Sequence, residues 1–172
     1  MKEPTEFRIF FPDIVTLLNL AAGLFAIYAA ILGDTRTAML LVVAAMLFDY
    51  FDGRIARFLR QEHSLGVQLD SLADMVSFGV APGVIALLWY RLDYFILGAA
   101  VLFAAAGAYR LARFNIIATS EERVKEFVGL PIPSAALIVL ASLLLGLPAL
   151  AEAFLILLAS VLMVATFKLK KL

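Results

Sequence analysis

What most constrains this 172-residue chain is a series of apolar stretches that together leave almost no residues over. A hydrocarbon core about 30 Å thick is crossed by roughly 20 apolar residues in a helix. Six stretches approach or exceed that length, at about residues 14–33, 37–59, 67–90, 94–117, 130–147 and 149–167. Hydrophobic residues make up 64 % of the chain, and the mean hydropathy of +1.00 lies far above that of a water-soluble domain. The expected fold is therefore all-α: a polytopic membrane protein of six transmembrane helices, one domain over residues 1–172, with residues 1–13 as a cytoplasmic juxtamembrane segment. No soluble domain fits in what remains, so any chemistry must be built from helices and short connections.

The first stretch follows Lys2 and Arg8, and the small residues from Ala26 to Ala30 offer a weak cleavage-like site. A signal peptide is nevertheless rejected, because the stretch is long for one, carries Thr16 and Asn19, and precedes five more spans. Internal repeats and low-complexity tracts are absent. Fourteen basic residues balance fourteen acidic ones, which argues against a nucleic-acid partner. The lack of cysteine removes disulfides, thiolate nucleophiles and zinc–thiolate sites together, so any metal must use oxygen ligands.

Orientation follows from the placement of positive charge. With the N-terminus inside, Lys2, Arg8, Arg54, Arg57, Arg60, Arg110, Arg113, Arg123, Lys125, Lys168, Lys170 and Lys171 fall at or near the cytoplasmic face, and only Arg36 and Arg91 fall outside. Both termini are then expected in the cytoplasm, and a site near residues 49–74 opens inward. The C-terminal lysines suit anionic lipid at the inner surface, and Trp89 suits an anchor at the outer interface.

The second span ends in Asp49-Tyr-Phe-Asp52-Gly53-Arg54-Ile-Ala56-Arg57, and the third begins with Gly66-Val-Gln-Leu-Asp70-Ser-Leu-Ala-Asp74. On a helix Asp49, Asp52, Gly53 and Ala56 share one face, and so do Gly66, Asp70 and Asp74. The short connection makes the two helices antiparallel neighbours, so the acidic faces can meet. Ionised carboxylates at membrane depth each cost at least about 2.5 kcal/mol, and four together also repel one another. Arg54 and Arg57 cannot neutralise four charges. Divalent metal can, and hard oxygen donors favour a pair of Mg²⁺ or Mn²⁺ ions, with Ca²⁺ a third candidate. Gly53, Ala56 and Gly66 clear space beside the acids, although small residues also serve close helix packing in membranes. His63 reads as a solvated loop residue.

Together these residues read Asp-x2-Asp-Gly-x2-Ala-Arg-x8-Gly-x3-Asp-x3-Asp, which resembles the signature of the CDP-alcohol phosphotransferases at all eight defined positions. The resemblance implies six transmembrane helices, a homodimer, divalent metal, and transfer of a phosphate-linked group from a CDP-alcohol to an acceptor hydroxyl with release of CMP. It further implies that Asp49, Asp52 and Asp70 are metal ligands, that Asp74 is a ligand and the general base, and that Gly53, Ala56, Arg57 and Gly66 bind the CDP moiety. Thr16 and Asn19 either hydrogen-bond a neighbouring helix or, as the resemblance suggests, line the cytidine pocket.

The stretches Phe11–Leu20, Asp70–Pro82, Arg110–Asn115 and Gly129–Ala135 are similar to the phosphatidylserine synthase branch of that family, whose archaeal members make archaetidylserine. The implied partners are CDP-diacylglycerol or CDP-archaeol, L-serine and membrane lipids. Arg110 and Arg113, three apart on the fourth span, suit the carboxylate of such an acceptor, but juxtamembrane arginines also snorkel to lipid phosphates. The segment Thr119–Phe127 is expected to close over this side. Glycerol 3-phosphate or inositol phosphate as acceptor would also suit two arginines. A divalent cation transporter is the reading from a different class. It gives no reason for Gly53, Ala56, Gly66 or Arg57, and neither repeat symmetry nor a broken helix is visible.

Overall fold

The computed structural model describes residues 10–59, 63–119, 127–165 and 168–169. Among these, the chain is helical apart from one short antiparallel pairing of Phe127–Val128 (β1) with Lys168–Leu169 (β2). The helices are α1 (Phe11–Ile31), α2 (Thr35–Leu59), α3 (Ser64–Asp74), α4 (Ala81–Trp89), α5 (Tyr94–Thr119), α6 (Ile132–Leu143) and α7 (Ala149–Val164). In hydrocarbon no water is present to satisfy backbone groups, which is why apolar stretches of this kind become helices. Helix α1 starts earlier than expected. Pro12 occupies its first turn and the Asp13 carboxylate accepts the Phe10 N–H at 2.8 Å, so the helix begins three residues before the expected start of the first span. Asp34 caps α2 by accepting the Thr37 N–H at 3.1 Å, and its bonds from Thr37 hold its carboxyl below the usual range.

A π-helical turn, Met75–Val80, joins α3 to α4, so residues 64–89 form one rod with a local widening. Pro82 supplies a cause: it has no N–H to donate and its ring would press on the carbonyl four residues earlier, a conflict that a wider turn relieves. Gly79 accommodates the result, since a Cβ there would lie 2.8 Å from the Met75 sulfur.

Among the described residues three helices are long and apolar enough to cross a membrane: Phe11–Ile31, Ser64–Trp89 and Tyr94–Ile116. Helix α2 is 25 residues long but carries the acidic motif in its C-terminal half. Helices α6 and α7, with 12 and 16 residues, are shorter than the apolar stretches that contain them. At 1.5 Å per residue they reach only about 18 and 24 Å. Gly146, at φ +63°, and Pro148, which caps α7, end the helical backbone while the sequence stays apolar.

Helix α1 packs along α2, and α5 along α7. Ala22, Ala26 and Ala30 of α1 meet a face of α2 bearing Ala38, Val42 and Ala45, all buried, as expected where close backbone approach replaces a hydrophobic driving force. Phe78, Ile85, Phe103, Ile132 and Met163 fill the centre. The outward faces carry Leu24, Phe25, Leu40, Val101, Phe154 and Val161, each more than half exposed, as suits contact with lipid. Gly129, at φ +80°, is pressed against the end of α7, where a Cβ would come within 2.6 Å of the Met163 carbonyl oxygen.

Candidate active site

The acidic faces of α2 and α3 do meet. Asp49, Asp70 and Asp74 each present a carboxylate oxygen within 4.8 Å of the others. Helical spacing explains this: Asp70 and Asp74 stand one turn apart on α3, and Asp49 faces them from α2. Among the described residues no arginine, lysine or histidine forms an ion pair with any of the three. Crowded, half-buried carboxylates without a counter-charge, in a chain lacking cysteine, fit an oxygen-liganded divalent cation. Asp52 lies outside this trio. Its Oδ2 accepts the Thr16 hydroxyl at 2.8 Å, so α1 fixes its orientation.

Helix α1 also reaches Asp74, through Asn19 Nδ2, which donates to Asp74 Oδ1 at 3.2 Å. Asn19 is itself located by its own carbonyl, which accepts the Ser77 hydroxyl at 3.0 Å. That contact requires Gly23, one turn on from Asn19, because a Cβ at 23 would lie 2.8 Å from Ser77 Cα. Asn19 is fully buried and does not line the cavity described next; of its two expected roles, the hydrogen bond to a neighbouring helix is the one seen. Thr16 does line it.

Beside the acids lies a cavity of about 400 Å³. Its lining includes the acids Asp49, Asp52 and Asp70, the small residues Gly53, Ala56 and Gly66, and Arg57. At Gly53 an added Cβ would meet only the Arg57 guanidinium, at 3.6 Å, so its missing side chain leaves cavity space rather than permitting helix contact. At Gly66 a Cβ would press on Asp13 and His63, each at 3.1 Å. We therefore expect Gly53→Leu to obstruct a ligand in this cavity while leaving the fold intact, since leucine is also the better helix former by roughly 0.5–1 kcal/mol. Binding of a CDP-lipid, measured beside thermal unfolding, checks this. Unaltered affinity in Gly53→Leu would assign the position to packing.

Several cavity residues were not foreseen. His63 is not a solvated loop residue. Its Nδ1 accepts the Gly66 N–H at 3.1 Å and so caps α3, its Nε2 lies 3.1 Å from Asp13 Oδ1, and its ring sits 4.8 Å from that of Phe10. Asp13 thus ties the start of α1 to the start of α3 at the cavity edge. The available signals were a ring nitrogen acceptor three residues before Gly66 and an acid in the first turn after Phe10. Tyr50 and Phe114 also line the cavity. Arg54 turns away, with its guanidinium on the Tyr50 hydroxyl and ring.

The expected arginine pair is split. Arg110 is buried, at 9 % exposure, and Asp74 is the opposing charge acting on it. Arg113 instead donates to the Val164 carbonyl at 3.1 Å and lies over the Tyr109 ring. Asn115 bonds Ser71 through both its amide oxygen and nitrogen, holding α5 to α3. Arg8, Arg60, Arg123, Lys125, Lys170 and Lys171, together with Lys2 and most of the Thr119–Phe127 segment, lie outside the described residues.

Residues 9–167 match the sequence pattern of the CDP-alcohol phosphatidyltransferase family. The chain is 40 % identical over 137 residues to a CDP-diacylglycerol–serine O-phosphatidyltransferase of Helicobacter pylori, covering 78 % of this chain and 57 % of that protein. It is 35 % identical over 128 residues to the Bacillus subtilis protein of the same name, covering 73 % of this chain and 71 % of the relative. Its similarity to the archaetidylserine synthase of Methanothermobacter thermautotrophicus, 36 % over 173 residues, covers 97 % of this chain and 72 % of that one. The chain thus spans a little over half the length of the Helicobacter relative.

Proposed function

The chain belongs to the CDP-alcohol phosphatidyltransferase family, and from that premise we propose that it transfers a phosphatidyl or archaetidyl group from a CDP-lipid to the hydroxyl of L-serine, releasing CMP. The observation that carries this reading is a cavity lined by Asp49, Asp52 and Asp70 together with Gly53, Ala56, Gly66 and Arg57, beside the carboxylate trio that Asp74 completes. A nucleotide needs a flat, open wall, and its diphosphate needs positive charge. Serine as acceptor is supported by the names of the relatives.

In this reading Asp49, Asp70 and Asp74 would hold two Mg²⁺ or Mn²⁺ ions, with Asp52, oriented by Thr16, as the fourth oxygen donor. Bound there, metal would supply positive charge to offset the negative charge on the reacting phosphate oxygens. The chain's own groups do the rest. Arg57 pairs with the diphosphate, and Gly53, Ala56 and Gly66 leave room for the cytidine. Thr16 and Asn19 act on the acids rather than on the nucleotide: each holds one carboxylate oxygen and leaves the other free. Asp74 takes the proton of the serine hydroxyl, whose oxygen attacks the lipid-side phosphorus as the bond to CMP breaks.

The six helical rods are read as six spans of one domain, with α6 and α7 accommodated by local thinning of the bilayer or by their apolar flanks. Both termini and the site face the cytoplasm, the protein acts in the cell membrane, and two copies assemble as a homodimer. The decisive assay supplies purified protein with CDP-diacylglycerol or CDP-archaeol and Mg²⁺ or Mn²⁺. Serine, glycerol 3-phosphate and inositol phosphate are added in parallel, and CMP is measured. Serine-dependent CMP release is expected; release driven by either phosphate acceptor instead would overturn the serine reading and leave the family reaction standing.

A further inference from the structure

We propose that Arg110, and not Arg113, receives the carboxylate of the amino-acid acceptor, in a subsite between α5 and the acidic end of α3. The inference rests on the serine reading above and adds which group of the acceptor is recognised, and by what. Among the described residues Arg110 is nine-tenths buried, its Nε has no hydrogen-bond partner, and its side chain forms no hydrogen bond or ion pair. A guanidinium presents five donors in a planar fork and is not relieved by deprotonation, so burying one without a partner is costly. A structural arginine at such a position would bond a carbonyl or carboxylate of the protein. Arg113 shows that behaviour, tying α5 to the end of α7 through the Val164 carbonyl.

The charges around Arg110 locate what it lacks. Asp74 attracts it without reaching ion-pair contact, while Arg113, one turn along the same helix, repels it. An anion placed at Arg110 is therefore favoured by both cations, and it lies beside the acid that faces the acceptor. Serine fits this arrangement because only two carbons separate its carboxylate from its hydroxyl. A carboxylate seated on the Arg110 fork directs the hydroxyl toward Asp74. Bidentate recognition also fixes orientation, which a point charge would not.

The test compares serine with serinamide, which keeps the hydroxyl and ammonium and replaces the carboxylate by a neutral amide. In the unaltered protein kcat/KM for serine should exceed that for serinamide by at least about a hundredfold, because a site built around a buried charge rejects an analogue that leaves it unpaired. Arg110→Gln should collapse this ratio toward one, mainly through the KM for serine, with the KM for CDP-lipid changed by less than about threefold. Arg110→Lys, which keeps charge but loses the fork, should fall between. Arg113→Gln should shift both acceptors together. Equal use of serine and serinamide by the unaltered protein overturns the inference even if no variant folds. So does a preserved ratio in Arg110→Gln with kcat lowered for both acceptors, which would make Arg110 a positioning residue for Asp74. Absence of any serine-dependent CMP release is a different result: it removes the serine reading itself, and this inference with it.

Discussion

Asn in place of Asp49 or Asp70 is expected to lower turnover by at least about a thousandfold, equivalent to roughly 4 kcal/mol of transition-state stabilisation, while thermal stability stays level or rises. The two halves of that result come from one cause. Asp49, Asp70 and Asp74 present oxygens within 4.8 Å of one another without a paired cation, so the carboxylates repel and the fold gains nothing from their charge. Removing one relieves repulsion. It also removes an oxygen donor from any divalent ion held there, and an amide oxygen is a much poorer ligand for Mg²⁺ or Mn²⁺ than a carboxylate. Chelation of the unaltered protein should reproduce the loss and added metal should reverse it. Asp52→Asn should act in the same direction while keeping the Thr16 bond, since an amide oxygen still accepts from the hydroxyl. Turnover that survives chelation would remove metal from the mechanism.

The acids were legible in the sequence because their information is local. Positions 49, 52, 53 and 56, and positions 66, 70 and 74, lie on single faces by helical period alone, and a short connection can bring those faces together in only one way. The contributions of α1 were half legible. Thr16 and Asn19 were visible as polar groups needing partners, but which partner each takes depends on the depth at which α1 crosses the other helices, which no spacing rule supplies. The divergence of the two arginines was hidden for a related reason. Residues three apart on a helix differ by about 60° in direction. At the boundary of a packed face that difference buries Arg110 against α3 and leaves Arg113 for the end of α7. The π-helical turn was hidden because Pro82 was read as a residue of a recognised stretch rather than as a missing N–H. The shortness of α6 and α7 was hidden because hydropathy does not distinguish an apolar helix from an apolar turn.

Asn in place of Asp74 is expected to lower turnover by about 10²–10⁴-fold, the range for loss of a general base, while CDP-lipid still binds. An alcohol is a weak nucleophile until its proton is removed. Of the four acids, Asp74 is the one with one oxygen held by Asn19, and the one whose charge acts on the buried Arg110. The chain has no cysteine, and its one histidine is engaged with Gly66 and Asp13 at the cavity edge, which leaves the aspartates of the acidic motif as the carboxylate nucleophiles for a covalent route. The two routes differ in stereochemistry. One displacement at phosphorus inverts configuration, and two restore it. Turnover of a CDP-lipid carrying a chiral phosphorothioate at the lipid-side phosphorus should therefore give inverted product, and labelled CMP should not exchange into the donor in the absence of serine. Retained configuration together with rapid exchange would make one of the aspartates a nucleophile. In that case Asp74→Asn should still form the lipid-enzyme adduct and stall before serine attack, because the base is needed only when the acceptor hydroxyl gives up its proton.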